Sequence, residues 1–446
     1  MKNMTRALSM MLTVTMALVC FTGCGNSDTA GKPAAGTAAD AASSPAGSGE
    51  KVTLTYWGWD SNFYKPVMEA FKKERSNVEF EVTEVASGDY VTKLQQSLAS
   101  GTNLPDILCS ELNYRGQMLA IDMWEDLTKA PYNLKDDMFF EASLNVMKNP
   151  EGKIVCVDET VCPSAIAYKR DLAKEYLGSD DPDELSKRLS DLDSICKAAK
   201  QVREKSGGKA FLFASMGGVM EWLRGTNPVT LVNEAGAVDF SGKYKRVIEN
   251  ACLLRDAGAI DVLEQWSAQE NAAYADSSHI LFPAANWSLE FSIKPNAPKG
   301  SGNWGMFAPG GTGYSWGGTA LGVNKDGANK ETAWEFIRFC TMEDAGIKTM
   351  KEKCDYYTAY KKPYEDKNYT SKKDEYFGGQ DIGAFLYQNL LPGIKTAKAT
   401  KYDGVAYEVL VLVLNNVIAD KSFTAEQALG QALEEMQNRL PDEKIV

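Results

Sequence analysis

Aromatic and acidic side chains recur together just beyond short apolar runs. Trp57, Trp59, Asp60 and Asn62 follow one run; Glu111, Asn113 and Tyr114 follow another; Asp158 and Glu159 form a third group. Glu221 with Trp222 repeats the pairing, and Trp287, beside the amide of Asn286, and Tyr314 with Trp316 add further rings. A flat ring beside a carboxylate suits a ligand that is apolar on one face and hydroxylated at its rim. The ring covers the C–H face, Asp and Glu accept two hydrogen bonds apiece, and Asn or backbone amides donate. Carbohydrate rings have this form. Trp and Tyr are also ordinary core residues. Trp334 reads as a packed helix face, Trp222 fits either role, and only one of Trp57 and Trp59 need face a ligand. Trp287 and Trp316, in surroundings rich in Gly, Ala and Ser, are the preferred ligand contacts. For Asp60, Glu111 and Glu159 the competing reading is a solvated surface acid. His279, beside an apolar run, reads as structural. No Ser-His-Asp set, P-loop, dinucleotide fingerprint or HExxH motif is present. Two carboxylates about 5–9.5 Å apart would still suffice for glycoside hydrolysis, and sequence does not measure that separation.

The elements that must hold these residues alternate between strand and helix. Val52 to Trp57 and Val78, Phe80, Val82 alternate as strands. Pro66 to Phe71 reads as a helix with Pro in its first turn. Asp89 is placed to cap the next helix, whose inner face is Val91, Leu94 and Leu98 and which stops at Gly101. Asp106 to Cys109, Ser164 to Lys169, Ala210 to Phe213, Ile280 to Phe282, Gly305 to Ala308 and Thr319 to Val323 read as further strands. A helix from Lys330 and a last helix opening on the capping box Thr424-Ala425-Glu426-Gln427 follow, the latter with Leu429, Leu433, Met436 and Leu440 inward. The alternation predicts α/β layers built on parallel sheet. Ligands then belong beyond the carboxyl ends of the strands, where the aromatic and acidic groups lie.

The chain has 446 residues and a net charge of −12. Lys2 and Arg6 precede the apolar run Ala7 to Val19, which reads as an export signal and is too short to span a membrane. Loss of its two cations leaves a net charge of −14, which argues against nucleic acid and anionic lipid as partners. Phe21-Thr22-Gly23-Cys24 resembles the bacterial lipobox, with Phe21 where Leu is usual, and implies cleavage before Cys24 and lipid on its thiol. Residues 24–49, rich in Gly, Ala, Ser and Thr, read as a disordered tether spanning roughly 25–30 Å. Residues 50–446 are long enough for two domains. Seven scattered cysteines lie beyond Cys24 and the only histidine is His279, so a Cys/His metal site is not expected. Those cysteines read as buried free thiols, with Cys156 and Cys162 the one pair worth testing for a disulfide.

Several segments in order resemble a known family. They are Leu54-Thr55-Tyr56-Trp57 with the helix Val67 to Lys73, Asn103-Leu104-Pro105-Asp106-Ile107-Leu108, Asp158-Glu159-Thr160 with Ala165 to Leu172, Ala284-Ala285-Asn286-Trp287, and Gly317 to Val323 with Ala333 to Ile337. Over residues 50–446 the chain resembles the bacterial extracellular solute-binding proteins of ABC importers, of the sugar-type, maltose-binding-protein-like class known as family 1. The resemblance implies an α/β, two-lobed fold of the type II periplasmic-binding-protein kind, with discontinuous lobes and a hinge. The lobes would be residues 50–158 with 319–355, and 159–318 with 356–446. It implies a monomer that captures a carbohydrate, an oligosaccharide by expectation, between its lobes and delivers it to ABC permease subunits. No cofactor and no metal would be needed, and membrane contact would run through the lipid alone. A surface glycosidase, a receptor for a polyamine, metal or peptide, and an adhesive role are the rival readings.

Overall fold

A computed structural model describes residues 50–446. The export signal, the lipidated Cys24 and the tether lie outside the described residues. Two sheets organise the body. The first has the order β2-β1-β3-β11-β4, from β1 (Val52–Gly58), β2 (Val78–Glu84), β3 (Ile107–Glu111), β4 (Val157–Asp158) and β11 (Thr319–Val323). β1, β2 and β3 run parallel, whereas β11 lies antiparallel to both β3 and β4. The second has the order β10-β5-β8-β6-β7, with β9 also on β5. It uses β5 (Pro163–Lys169), β6 (Phe211–Ser215), β7 (Ile260–Leu263), β8 (His279–Ala285), β9 (Trp304–Phe307) and β10 (Tyr314–Ser315). Here β6, β7 and β8 are parallel and β5 opposes β8. The expected parallel sheets are therefore mixed. The strands that run against the others, β11 and β5, begin just after the chain crosses between the sheets.

Local chemistry explains most elements. In β1, Leu54 and Tyr56 are buried while Thr53 and Thr55 point outward, the period-two pattern of a half-covered strand. Asp106, just before β3, accepts from Thr55 N at 2.9 Å and Thr55 Oγ1 at 2.7 Å, which fixes the start of β3 against β1. Helix α1 (Ser61–Glu74) starts five residues before Pro66 because Asp60 caps it, so Pro66 sits inside the helix rather than in its first turn. Helix α2 (Ser87–Ser100) has no side-chain cap and keeps Asp89 in its first turn. It buries Tyr90 and Leu94 and leaves Leu98 exposed. It ends as expected at Gly101, in the left-handed region at φ 67°. The last helix, Ala425–Arg439, has the capping box. Its most buried line is Ala428, Ala432 and Met436, with Leu429, Leu433 and Leu440 half-buried beside it, because it packs closely on the long helices Phe240–Asp256 and Asp403–Ala419.

Two crossovers lie side by side between the sheets: Asp158 to Pro163 leaves the first for the second, and Ser315 to Thr319 returns. Trp316 N donates to Cys162 O at 3.2 Å, and Glu159 N to Thr319 O at 3.0 Å, so the strands of the hinge are bonded to each other. Gly318 has φ 115°, and a Cβ there would lie 3.2 Å from Cys162 Sγ, so close approach and backbone angle both call for glycine. Tyr356–Lys361 packs on elements around the first sheet: Thr358 Oγ1 donates to Thr341 O at 2.6 Å and Lys361 N to Met138 O at 2.9 Å. Cys156 and Cys162 are free thiols, as are the other five described cysteines. No described helix is long and apolar enough to cross a membrane.

Candidate ligand site at the converging strand ends

At the carboxyl edge of the second sheet, three indoles form one cluster. Trp287 follows β8, Trp316 follows β10 and Trp266 follows β7. Ring centroids are 5.1 Å apart for Trp287 and Trp316, and 6.0 Å from Trp266 to each of them. Trp287 Nε1 donates to Trp316 O at 3.0 Å, which fixes its ring against the crossover. Gly317 continues that crossover at φ 77°, with its missing Cβ 3.1 Å from Trp287 Nε1. Trp266 is the residue the sequence reading missed, because β7 itself was not recognised. With that strand assigned, the strand-end rule would have pointed to Trp266. Its φ is 67°, which for a bulky residue costs about 1–3 kcal/mol. The carboxylate of Glu270, itself buried, holds it there: Oε2 accepts from Trp266 N at 2.6 Å and Oε1 from Ser215 Oγ at 2.5 Å. The indole is nevertheless 54% exposed. The strained backbone and the exposed ring together make Trp266 a candidate ligand contact.

The edge of the first sheet carries the acids. Trp59 meets Tyr90 edge-on at 5.3 Å. Asp60 Oδ1 accepts from Asn62 N at 3.0 Å and Phe63 N at 3.3 Å, and Oδ2 accepts from Tyr356 OH. Asn62 itself is exposed. Asp158 pairs with Arg115 at 2.6 Å. Glu159 is 2% exposed and its Oε2 has no partner among the described residues. Burial, then the carboxylates of Asp60 and Asp158, push its pKa well up, which favours the neutral acid. It lies beneath the surface because β4 carries it against β11 in the layer of Tyr56 and Cys109.

The remaining expected contacts are distributed elsewhere. Trp57 lies on the α2 side of β1, under Lys93 Nζ at 4.5 Å from the ring centre. Glu111 caps helix α3 (Leu112–Leu119) through Asn113 N at 2.8 Å, and burial raises its pKa. Asn113 Oδ1 accepts from Arg224 Nη2 at 2.6 Å, a bond between the lobes. Arg224 also pairs with Glu221 at 2.6 Å, and Glu221 accepts from Tyr407 OH at 3.1 Å. Tyr114 lines a groove beside the helix Asp403–Ala419. Trp222 is stacked on Phe213 at 5.9 Å inside the second core. Tyr314 is 1% exposed, with its OH 3.4 Å from Ala165 O. Trp222 and Tyr314 were expected at a ligand, and both are core side chains; Trp316 is as buried as Trp222, at 7%, but also lines the cavity beside Trp266. Trp222 faces the second sheet from its helix, and Tyr314 faces that helix from β10, against Gly225. Of the expected set, the structure brings Trp287 and Trp316 together at one edge, and Trp59 and Asp60 at the other.

Two mixed α/β lobes, bonded through a paired crossover, with indoles and acids on the strand ends that flank it, define a two-lobed solute-binding protein. The chain belongs to the bacterial extracellular solute-binding protein family, whose profile matches residues 67–376. Solved structures share the fold. One is an extracellular solute-binding protein of family 1, with 22% identity, 87% of this chain and 99% of that one covered, and a TM-score of 0.78. Another is the galacto-N-biose/lacto-N-biose I-binding protein of a Bifidobacterium longum ABC transporter, with 18% identity, 90% and 100% covered, and a TM-score of 0.69. The sugar-binding protein MalE of Xanthomonas citri has 13% identity, 87% and 98% covered, and a TM-score of 0.69. No curated protein matches the chain in sequence.

Proposed function

We propose that this protein is a lipid-anchored receptor that captures a carbohydrate between its lobes and hands it to the permease of an ABC importer. The observation that carries the reading is the cluster Trp266–Trp287–Trp316 at the crossover, a set of flat faces of the kind that sugar C–H surfaces cover. The sugar complexes among proteins of the same fold support it. Asp60 is committed to its helix cap and Tyr356, Asp158 to Arg115, and Glu111 to its own cap. In this reading Cys24 carries the lipid, the monomer binds no cofactor, and the lobes rock about Asp158–Pro163 and Gly317–Thr319. We take the lobes as residues 50–158 with 319–355 and 159–318 with 356–446. A ligand drives closure only by binding the closed form more tightly.

The test is a thermal-shift screen of the full chain against monosaccharides, oligosaccharides, polyamines and peptides, since a ligand that binds only the folded state raises the melting temperature. A carbohydrate hit that vanishes in Trp287→Ala supports the proposal. A hit confined to polyamines or peptides, or hydrolysis of a bound oligosaccharide, overturns it.

A further inference from the structure

A second cavity, of different chemistry, lies where helix α3 and the helix Glu141–Met147 meet the helices Met216–Gly225 and Phe240–Asp256 and the segment Lys395–Ala399. Its volume is about 110 Å³. Ser315 lines it, whereas the next residue, Trp316, lines the cavity beside Trp266, so neighbouring side chains of the return crossover serve different cavities. Four cations line it: Arg224, Lys243, Lys395 and Lys398. The first two are largely buried, with side chains 19% and 12% exposed. Lys243 Nζ donates to Asp403 Oδ1 at 3.2 Å, which leaves two of its three N–H groups to place. Arg224 commits Nε to Glu221 and Nη2 to Asn113, and its Nη1 makes no bond among the described residues. Lys395 and Lys398 are exposed and make no side-chain bond among the described residues. The segment that carries them is nevertheless fixed: Asn145 Nδ2 donates to Thr396 O at 2.8 Å, and Thr396 Oγ1 to Glu141 O at 3.3 Å. The carboxylates paired with the four cations are Asp403 and Glu221. Glu111, the next acid near Arg224, is drawn towards its neutral form by burial. Two positive charges are thus left unmatched, in a chain whose net charge is −12.

We infer that this cavity is a second binding site, for a small free dianion of the phosphate kind, held by Lys243 and Arg224 within and by Lys395 and Lys398 at the rim. A dianion cancels the unmatched charge, which a neutral sugar would leave in place. Its oxygens accept the spare N–H groups, and charge-assisted bonds of this kind are about twice as strong as neutral ones. One water takes about 10–15 Å³ of such space, so the volume suits one small polyatomic ion. The cations come from two separate stretches of chain, and Leu112, Asn113 and Val146 of the first lobe form another wall. An anion here therefore ties the segment Lys395–Ala399 to the neighbouring helices. The site is independent of the solute held at the indoles.

The experiment is calorimetric titration of the full chain with inorganic phosphate, at about pH 8, where phosphate is mostly dianionic, and at an ionic strength held constant with sodium chloride. Saturable binding of one phosphate per chain is expected, with sulfate competing for it. The double variant Lys395→Gln, Lys398→Gln should weaken phosphate by about tenfold or more, while its melting temperature without phosphate matches the parent's, because both side chains are exposed and unbonded. A charge-matched control, Lys187→Gln with Lys197→Gln, changes two exposed lysines of the second lobe that lie outside the cavity. It should bind phosphate within about twofold of the parent. Absence of saturable phosphate binding overturns the inference. So does an equal loss in the two double variants, which would mark a general effect of surface charge. Binding of succinate with none of phosphate or sulfate also overturns it, since the site would then be built for a dicarboxylate. The carbohydrate reading stands or falls separately, on the thermal-shift screen.

Discussion

Arg115→Met is expected to destabilise the protein by about 3–5 kcal/mol. Arg115 is 1% exposed and its guanidinium joins three segments: Nη1 donates to Asp158 Oδ1 at 2.6 Å, and Nη2 to Ser110 O at 3.2 Å and Gly318 O at 3.0 Å. It therefore ties β3 to both crossovers. At an effective dielectric of about 20, an ion pair at contact attracts with roughly 4 kcal/mol. Removing each ion from water costs several kcal/mol. The intact pair thus comes out close to neutral, and Nε has no partner to improve it. Deleting the cation alone is different, because Asp158 keeps its desolvation and loses its compensation. Gly318 O keeps Leu112 N as a second donor at 3.1 Å, so the cost centres on the uncompensated Asp158. The double variant Arg115→Met, Asp158→Leu removes both charges and should recover most of the loss. The assay is urea unfolding followed by tryptophan fluorescence on the parent, both single variants and the double. If Arg115→Met falls within about 0.5 kcal/mol of the parent, or the double is no better than the singles, the pair is not the buried tie described.

Three further outcomes are expected. His279 lies between Asp276 Oδ2 at 2.7 Å and Asp261 Oδ2 at 3.0 Å, with Lys169 also on Asp276. Burial alone would lower its pKa, but the two carboxylates outweigh burial and raise it, while Asp276 is lowered to about 2. A raised histidine contributes stability that is complete below its unfolded value, about 6.5, and is lost as pH rises through the folded value. The lowered Asp276 contributes above about 3.8 and loses its share as pH falls towards 2. Stability from this group should therefore peak between about pH 4 and 6.5, and in His279→Gln the decline above that window should flatten in pH-dependent melting curves. Trp266→Ala should change stability by less than about 1 kcal/mol, because an exposed, strained indole is removed, yet weaken any ligand-induced melting shift; an undiminished shift refutes its place in the site. Asn113→Ala removes the Arg224 bond between the lobes, a charge-assisted contact of about 1.5–3 kcal/mol, and should expand the unliganded protein in small-angle scattering; unchanged dimensions would show that the bond does not hold the lobes.

Much of the architecture was legible because it is local. The alternation in Val52–Gly58, the stop at Gly101 and the capping box at Thr424 depend on neighbours within a few residues. Trp287 was legible because it lies just beyond the strand read at Ile280 to Phe282, and both Trp287 and Trp316 because their surroundings are rich in Gly, Ala and Ser. Trp266 was lost with its strand: Ile260–Leu263 is four residues long, only Ile260 is buried, and it is too short to show a period. Helix starts were displaced wherever a cap lay outside the apolar pattern, as Asp60 does for α1.

The sequence alone determined which residues are rings, acids and turn glycines, and in what order strands and helices supply them, because those properties are written in side-chain type and short spacing. Only the tertiary structure decided what each one does. Asp60 meets Tyr356, Asn113 meets Arg224 and Arg115 meets Gly318 across gaps of 296, 111 and 203 positions. Burial makes Trp222 and Tyr314 core side chains and Glu159 a hidden acid, while Trp266 is left in the open. Exposure and partnership are properties of the packed chain, set by which surfaces exclude water together. No window of sequence contains both sides of such a contact.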